Sequence, residues 1–304
     1  MKILFVNPDN PQCGVYQYGQ NLFRILDFSR DHSWSYCQGF EEYTWKVGTF
    51  RPDAVLWNTH PNIPGWLQSP PLSGRDAVIF HDGAEPDSRY RAVLFSDPTM
   101  LQHGRWYPIG RPLPGPSLLC SPETPFPIIG VNGFLGAWAM IAMRQILHEF
   151  HDCTINLHLP FATYGDGAGA AAQATAAECV AFAALHRPRI KVNVTHDFLP
   201  TAVLVDRLAC NDLNCYMRDL PPTWRGVSSV LDCALAARRP IAVNKCVAFR
   251  HVHNCQPSIC VEDTPLRQIL SNGVAPLLPL LEAWAPDRVR ESVESALAKA
   301  IGSE

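Results

Sequence analysis

Arg218-Asp-Leu-Pro-Pro-Thr-Trp-Arg-Gly-Val-Ser-Ser-Val-Leu-Asp-Cys-Ala-Leu-Ala-Ala-Arg-Arg-Pro-Ile-Ala-Val-Asn-Lys-Cys-Val-Ala-Phe-Arg-His251 is the stretch on which the reading of the fold turns. Before it, residues 213–217 are apolar enough for a buried strand. Within it, Val227, Val230, Leu231, Ala234 and Leu235 recur at steps of three and four, which predicts one buried helical stripe over about 225–238. Pro240 stops that helix, and residues 241–243 restart a strand. The result is a β-loop-α-β unit with Gly226, Ser228 and Ser229 at the helix N-terminus. Backbone N–H groups and the positive end of the helix dipole make such a terminus a seat for phosphate. Arg218, Arg225, Lys245 and Arg250 add positive charge around it.

Outward from this unit, the chain reads as alternating strands and helices. N-terminal to it, strands are expected at 2–7, 34–37, 54–58, 77–80, 92–95 and 106–109. The first runs into Cys13-Gly14-Val15-Tyr16-Gln17-Tyr18-Gly19 and a helix through Leu22 and Leu26. A glycine at that strand-to-helix turn, Gly14, lets a ligand come close to the backbone. His81-Asp82-Gly83 follows the strand at 77–80, and carboxyl ends of strands face the ligand crevice in open α/β sheets. An imidazole there suits chemistry or the holding of a hydroxyl.

Residues 110–127 are dense in proline and carry neither period, as an interdomain linker does. A strand–glycine loop–helix unit then restarts at 128–136, with Gly133 in the loop. Further strands are expected at 154–159, 190–194 and 258–261, helices at 201–208 and 266–270, an alanine-rich surface helix up to 186, and a last helix at 287–301. Two α/β domains follow, 1–125 and 126–304.

Composition bounds the function. The chain has 304 residues, 47% hydrophobic and 17% charged, which fits an ordered globule of two moderate cores. A formal charge of −3 gives no electrostatic footprint for nucleic acid. The N-terminus reads as a first strand rather than a signal peptide, and no apolar run reaches the length of about 20 residues that spans a bilayer. The 11 cysteines show no paired spacing and read as buried thiols, which points to the cytoplasm. Cys246, His251, His253, Cys255 and Cys260 are of zinc-compatible types, but their spacing matches no zinc motif. Trp57, Trp66 and Trp106 are candidates to stack on a ligand ring, with core packing the commoner use of such residues.

With these motifs in order, the chain resembles the glycosyltransferases of the GT-B fold, particularly the large retaining family that uses nucleotide-sugar donors. The glycine loop at Cys13–Gly19, the His81-Asp82 pair, the opening at 128–136 and the helix running into Pro-Ile-Ala-Val at 234–243 carry the resemblance. It implies two Rossmann-like domains facing across a cleft, with the acceptor on the first and the nucleotide sugar on the second. It also implies transfer of a sugar from a nucleotide-diphosphate donor to a hydroxyl of a saccharide or lipid-linked acceptor, in polysaccharide or glycolipid biosynthesis. Retention of configuration, no metal, no resident cofactor and contact with the inner face of a membrane for a lipid-linked acceptor belong to the same implication. On it, His81 and Asp82 are catalytic. Gly14, Gly133, Arg218, Arg225, Gly226, Ser228, Ser229, Lys245, Phe249 and Arg250 serve the donor.

The family's two donor-site glutamates are missing, since Arg225 and Cys233, with Asp232 adjacent, stand at those positions. The basic pair after the second domain's glycine loop is missing too, with Arg144 the only cation between Gly133 and Leu147. A degenerate homologue that binds a nucleotide sugar or scaffolds a partner is therefore the competing expectation. An epimerase on the same fold is a third.

Overall fold

The computed structural model describes residues 1–60, 63, 65–82, 85–133, 138–161 and 166–301. The chain forms two compact α/β units. The first holds Met1–Leu113, Trp224–Val227 and Glu282–Glu304, and the second holds Pro114–Thr223 and Ser228–Leu281.

In the first unit, β1 (Lys2–Asn7), β2 (Ser33–Gln38), β3 (Ala54–Asn58), β4 (Asp76–Phe80), β5 (Ala92–Phe95) and β6 (Trp106–Pro108) form one parallel sheet. Its order is β2-β1-β3-β4-β5-β6. Alternation assigns the faces. Leu4, Val6, Val55, Trp57, Val78, Phe80, Val93 and Phe95 share one core with Tyr43 of α2 (Phe40–Phe50). The opposite face, with Phe5, Asn7, Leu56 and Asn58, receives α1 (Gly14–Leu26). Burial on both faces explains why these strands read as continuous apolar runs. Trp57 is fully buried, so it serves the core.

The second unit carries β7 (Ile128–Asn132), β8 (Thr154–His158), β9 (Lys191–Thr195), β10 (Leu213–Tyr216) and β11 (Ile241–Val243), parallel in the order β11-β10-β7-β8-β9. Its helices are α3 (Ala139–Glu149), α4 (Ala170–His186), α5 (Thr201–Ala209), α6 (Val230–Ala236), α7 (Leu266–Asn272) and α8 (Leu278–Ala283). Ile129, Val131, Ile155, Leu157, Leu213 and Cys215 bury one face in a core shared with residues of α3, α4 and α7. The last helix, α9 (Pro286–Ile301), buries Val289, Val293, Ala296 and Leu297 and packs on α1 and β5 of the first unit. Among the described residues no helix is long and apolar enough to cross a membrane.

Two expectations need correction. The helix expected over 225–238 is only α6, because Trp224–Val227 group with the first unit and the Ser228 amide donates to the Ala248 carbonyl at 2.9 Å. Arg238, at φ 52°, turns the chain out of the helix. Residues 258–261 form an isolated bridge to Val243 rather than a strand. Two helices have no sequence signal: α2, whose one buried residue, Tyr43, leaves no periodic stripe, and α8, which carries Pro279 in its first turn. Proline is tolerated in a first turn, where its missing N–H has no intrahelical partner.

The other face of the second sheet carries a row of amides. Asn193, Asn156, Gly130 and Asn214 stand opposite one another on β9, β8, β7 and β10. Asn193 donates to Asn156 at 3.0 Å, Asn156 to Asn211 at 2.8 Å, Asn211 to Asn214 at 2.8 Å, and Asn214 to the Leu208 carbonyl at 3.1 Å. Asn211 reaches across β7 only because Gly130 has no side chain: a Cβ there would lie 2.1 Å from Asn211 Nδ2 and 2.5 Å from Asn214 Oδ1. A register slip would break every link, so the row pins the sheet. Gly130→Ala is expected to lower stability by about 1–3 kcal/mol, through overpacking and an unsatisfied buried amide. Urea denaturation of the variant beside the wild type measures it, and an unchanged midpoint would show that the row yields freely.

Candidate functional site

Each sheet reverses its strand order once, and ligands of open α/β sheets bind beyond the carboxyl ends of the strands at that reversal. The reversal lies between β1 and β3 in the first unit and between β7 and β10 in the second. Asn7, Asn58 and Asn132 end β1, β3 and β7 there.

In the first unit, Asn7 and Asn58 are fully buried. Asn58 Nδ2 donates to Asn7 Oδ1 at 2.6 Å and to the Val15 carbonyl at 2.7 Å, while Asn7 Nδ2 donates to the Tyr16 carbonyl at 3.2 Å. His81 Nε2 lies 2.6 Å from Asn58 Oδ1, and the Tyr18 ring meets the imidazole edge-on at 4.8 Å. Arg111, fully buried, donates to the Ser96 carbonyl at 2.8 Å and stands 5.1 Å over the Tyr18 ring. Gly19 makes the cluster sterically feasible, since a Cβ there would lie 1.9 Å from Asn7 Oδ1 and 2.3 Å from Asn58 Nδ2. Burial, reinforced by the Arg111 and His60 charges, pushes the His81 pKa down to about 3, so the ring is neutral near pH 7. His60 is also lowered by burial, against the pull of Asp82.

In the second unit, a small pocket of about 30 Å³ lies at the reversal. Asn132, Gly133, Trp138, Tyr216, Arg218 and Phe249 line it. The Arg218 guanidinium sits 4.5 Å over the Trp138 ring, and Asn244 clamps the Arg218 backbone by accepting from its N–H at 3.0 Å and donating to its carbonyl at 2.6 Å. Arg218 also lines a more open recess of about 400 Å³ with Asn244, Lys245, Arg250, His253 and Glu262. Beyond it on the sheet, His158 Nδ1 lies 2.8 Å from Thr195 Oγ1, and burial, then the Arg207 charge, lower its pKa to about 4.

The residues singled out in the sequence separate into groups. Gly133, Arg218 and Phe249 meet at the first pocket, and Arg218, Lys245 and Arg250 at the second recess. The Gly133 amide donates to the His158 carbonyl at 3.2 Å. Lys245 Nζ pairs with Asp263 at 2.5 Å while its amide donates to Glu262, so its charge is already matched, and the pair lifts the Lys245 pKa. Asp82 and Gly226 are brought together in the first unit, where a Cβ on Gly226 would lie 3.1 Å from Asp82 Cβ. Ser228 is buried with its amide engaged by the Ala248 carbonyl, and Ser229, at the start of α6, makes no side-chain cap to the helix. Arg225 is exposed, and Gly14 opens α1 with nothing within 4 Å of a Cβ placed there. The Cys233 thiol, at a position where the resemblance has an acid, is pushed up to about 12 by burial and then by Asp232, so it stays protonated. Among the described residues no three His, Cys, Asp or Glu side chains are grouped to hold a metal ion. The expected glycine loop at 134–136 and Gly83 lie outside the described residues.

Asn7, Asn58, Tyr18, Arg111 and Trp138 were not anticipated. The signal was present for three asparagines: the strands Lys-Ile-Leu-Phe-Val-Asn, Ala-Val-Leu-Trp-Asn and Ile-Ile-Gly-Val-Asn each end an apolar run on the same amide.

No protein-family model and no curated protein sequence matches the chain. Solved structures do. The trehalose-6-phosphate synthase OtsA is similar over 100% of this chain and 99% of its own, with a TM-score of 0.62 at 10% identity. An E. coli structure described as trehalose-6-phosphate bound with UDP-2-fluoro glucose is similar over 99% of both chains, with a TM-score of 0.60 at 10% identity. The pneumococcal O-GlcNAc transferase GtfA, in complex with UDP and GlcNAc, is similar over 83% of this chain and 57% of its own, with a TM-score of 0.50 at 11% identity. The fold is GT-B.

His158, buried, and His81, half-buried, give this GT-B chain a defined response to acid. An unfolded histidine takes up a proton near pH 6.5, whereas His81 and His158 resist it down to about 3 and about 4. The unfolded chain then binds more protons, so stability is full above about pH 6.5 and falls as pH drops through this window. Each histidine contributes a slope of at most about 1.4 kcal/mol per pH unit. His158→Asn, whose amide takes the place of the Nδ1 that faces Thr195, is expected to flatten the dependence of the urea midpoint on pH between about 6.5 and about 4. A slope equal to that of the wild type would mean that His158 charges freely in the folded protein.

Proposed function

We propose that the protein is a glycosyltransferase that takes a sugar from a nucleotide-diphosphate donor and passes it to an acceptor hydroxyl. The observation that carries this reading is the pocket at the β7/β10 reversal, where Gly133, the Trp138 ring and the Arg218 guanidinium converge. Such a set suits an anionic nucleotide: a glycine with no side chain in the way, an aromatic face and a guanidinium pre-set by stacking and by the Asn244 clamp. Similarity of fold to proteins described with UDP and UDP-2-fluoro glucose supports the same ligand class. On this reading Arg218 neutralises the leaving diphosphate as the glycosidic bond breaks, with Arg250 of the neighbouring recess adding charge. His81 offers a neutral imidazole to a substrate hydroxyl, and Asp82 stands next to it. The transfer retains configuration without a metal, and the acceptor is a saccharide or a lipid-linked sugar of polysaccharide or glycolipid synthesis.

A second reading, binding without turnover, draws on Lys245 being matched by Asp263 and on the Ser228 amide being used internally. One experiment separates the two. Consumption of UDP-, GDP- and dTDP-sugars is followed by release of nucleoside diphosphate, while calorimetry measures their binding. Transfer predicts turnover that His81→Ala reduces by about 100-fold and binding that Arg218→Ala weakens by at least about tenfold. Tight binding with no diphosphate released by the wild type would leave the second reading standing, and no binding at all would end both.

A further inference from the structure

The buried amides beneath His81 determine which of its ring nitrogens carries the proton. Main-chain carbonyls can only accept hydrogen bonds, and two of them anchor the network. The Asn58 side-chain atom 2.7 Å from the Val15 carbonyl must be its nitrogen, and the Asn7 atom 3.2 Å from the Tyr16 carbonyl must be nitrogen likewise. Neither amide can then be turned over without placing oxygen against oxygen. Asn58 spends both N–H bonds on Val15 and on Asn7 Oδ1, so the atom it presents to His81 at 2.6 Å is its carbonyl oxygen. That oxygen accepts, and the imidazole nitrogen facing it has to donate.

We infer that Asn58 is a positioning residue for His81: it holds the imidazole as the Nε2–H tautomer, so that Nδ1 keeps its lone pair and is the ring atom able to accept a hydrogen bond from a substrate hydroxyl. The Tyr18 ring, edge-on to the imidazole at 4.8 Å, restrains its plane, and Gly19 keeps the space in which the two asparagines meet. The low proton affinity of the ring keeps the second nitrogen bare near pH 7. The use of Nδ1 toward a hydroxyl rests on the glycosyltransferase reading, whereas the tautomer itself is a property of the ligand-free protein.

The test is long-range ¹H–¹⁵N correlation spectroscopy of ¹⁵N-histidine-labelled, ligand-free protein at neutral pH, with His81 assigned from a His81→Gln sample. The expected spectrum has a protonated, pyrrole-type Nε2 and a bare, pyridine-type Nδ1. Asn58→Ala is expected to lose this single-tautomer pattern and give averaged nitrogen shifts. Asn58→Asp, whose carboxylate favours the charged ring, is expected to show both nitrogens protonated. Either variant suffices if the other fails to fold, and the wild-type spectrum decides the tautomer by itself. A proton on Nδ1 in the wild type, or unaltered His81 nitrogens in a folded Asn58 variant, would overturn the inference. Neither result depends on whether any nucleotide sugar is consumed.

Discussion

A buried side-chain amide is costly unless its donors and its acceptor are all paired, and both units solve this problem with a missing side chain. Gly19 leaves the space in which Asn7 and Asn58 meet beneath α1, and Gly130 leaves the space through which Asn211 spans β7. In each case a Cβ would fall inside hydrogen-bonding atoms rather than against a yielding methyl. The polar network and the glycine are therefore one device. It fixes register where a purely apolar sheet face would allow slippage.

The consequences reach the strand ends. Asn7 and Asn58 close β1 and β3 at the reversal of strand order, so the cluster that locks the sheet also touches His81. A surface histidine after a strand would titrate near physiological pH. This one is held by an amide oxygen and flanked by the Tyr18 edge with the Arg111 charge nearby, and its chemistry near pH 7 is that of a neutral acceptor. In the second unit charge is managed differently. Arg218 is stacked on Trp138 and clamped through its backbone, while Lys245 is bound to an acidic neighbour, so the two basic side chains that looked alike in the sequence are unlike in the fold.

Much of the strand framework could be read directly, because strands buried on both faces are short apolar runs with sharp ends. β1, β3, β5 and β11 fall on the residues expected of them. The helix of the opening stretch could not be read in full. Val227 and Val230 keep a helical step, yet residues 224–227 pack with the first unit and the periodic signal runs through a segment that is not helical. Helix α2 carried the opposite problem, a real helix whose one buried residue leaves no stripe to detect.

Sequence alone determined the alternation of strand and helix, the two α/β units and the apolar faces, since these follow from local periodicity and from the stops at proline and glycine. Only tertiary structure decided which polar residues act together. Asn58 meets Asn7 across 51 positions and His81 across 23, and Asp82 meets the Gly226 backbone across more than a hundred, separations at which no spacing rule operates. Hydrogen bonds between buried amides depend on three-dimensional approach to within a few tenths of an ångström, and parallel strand order, which brings distant segments side by side, is what sets that approach.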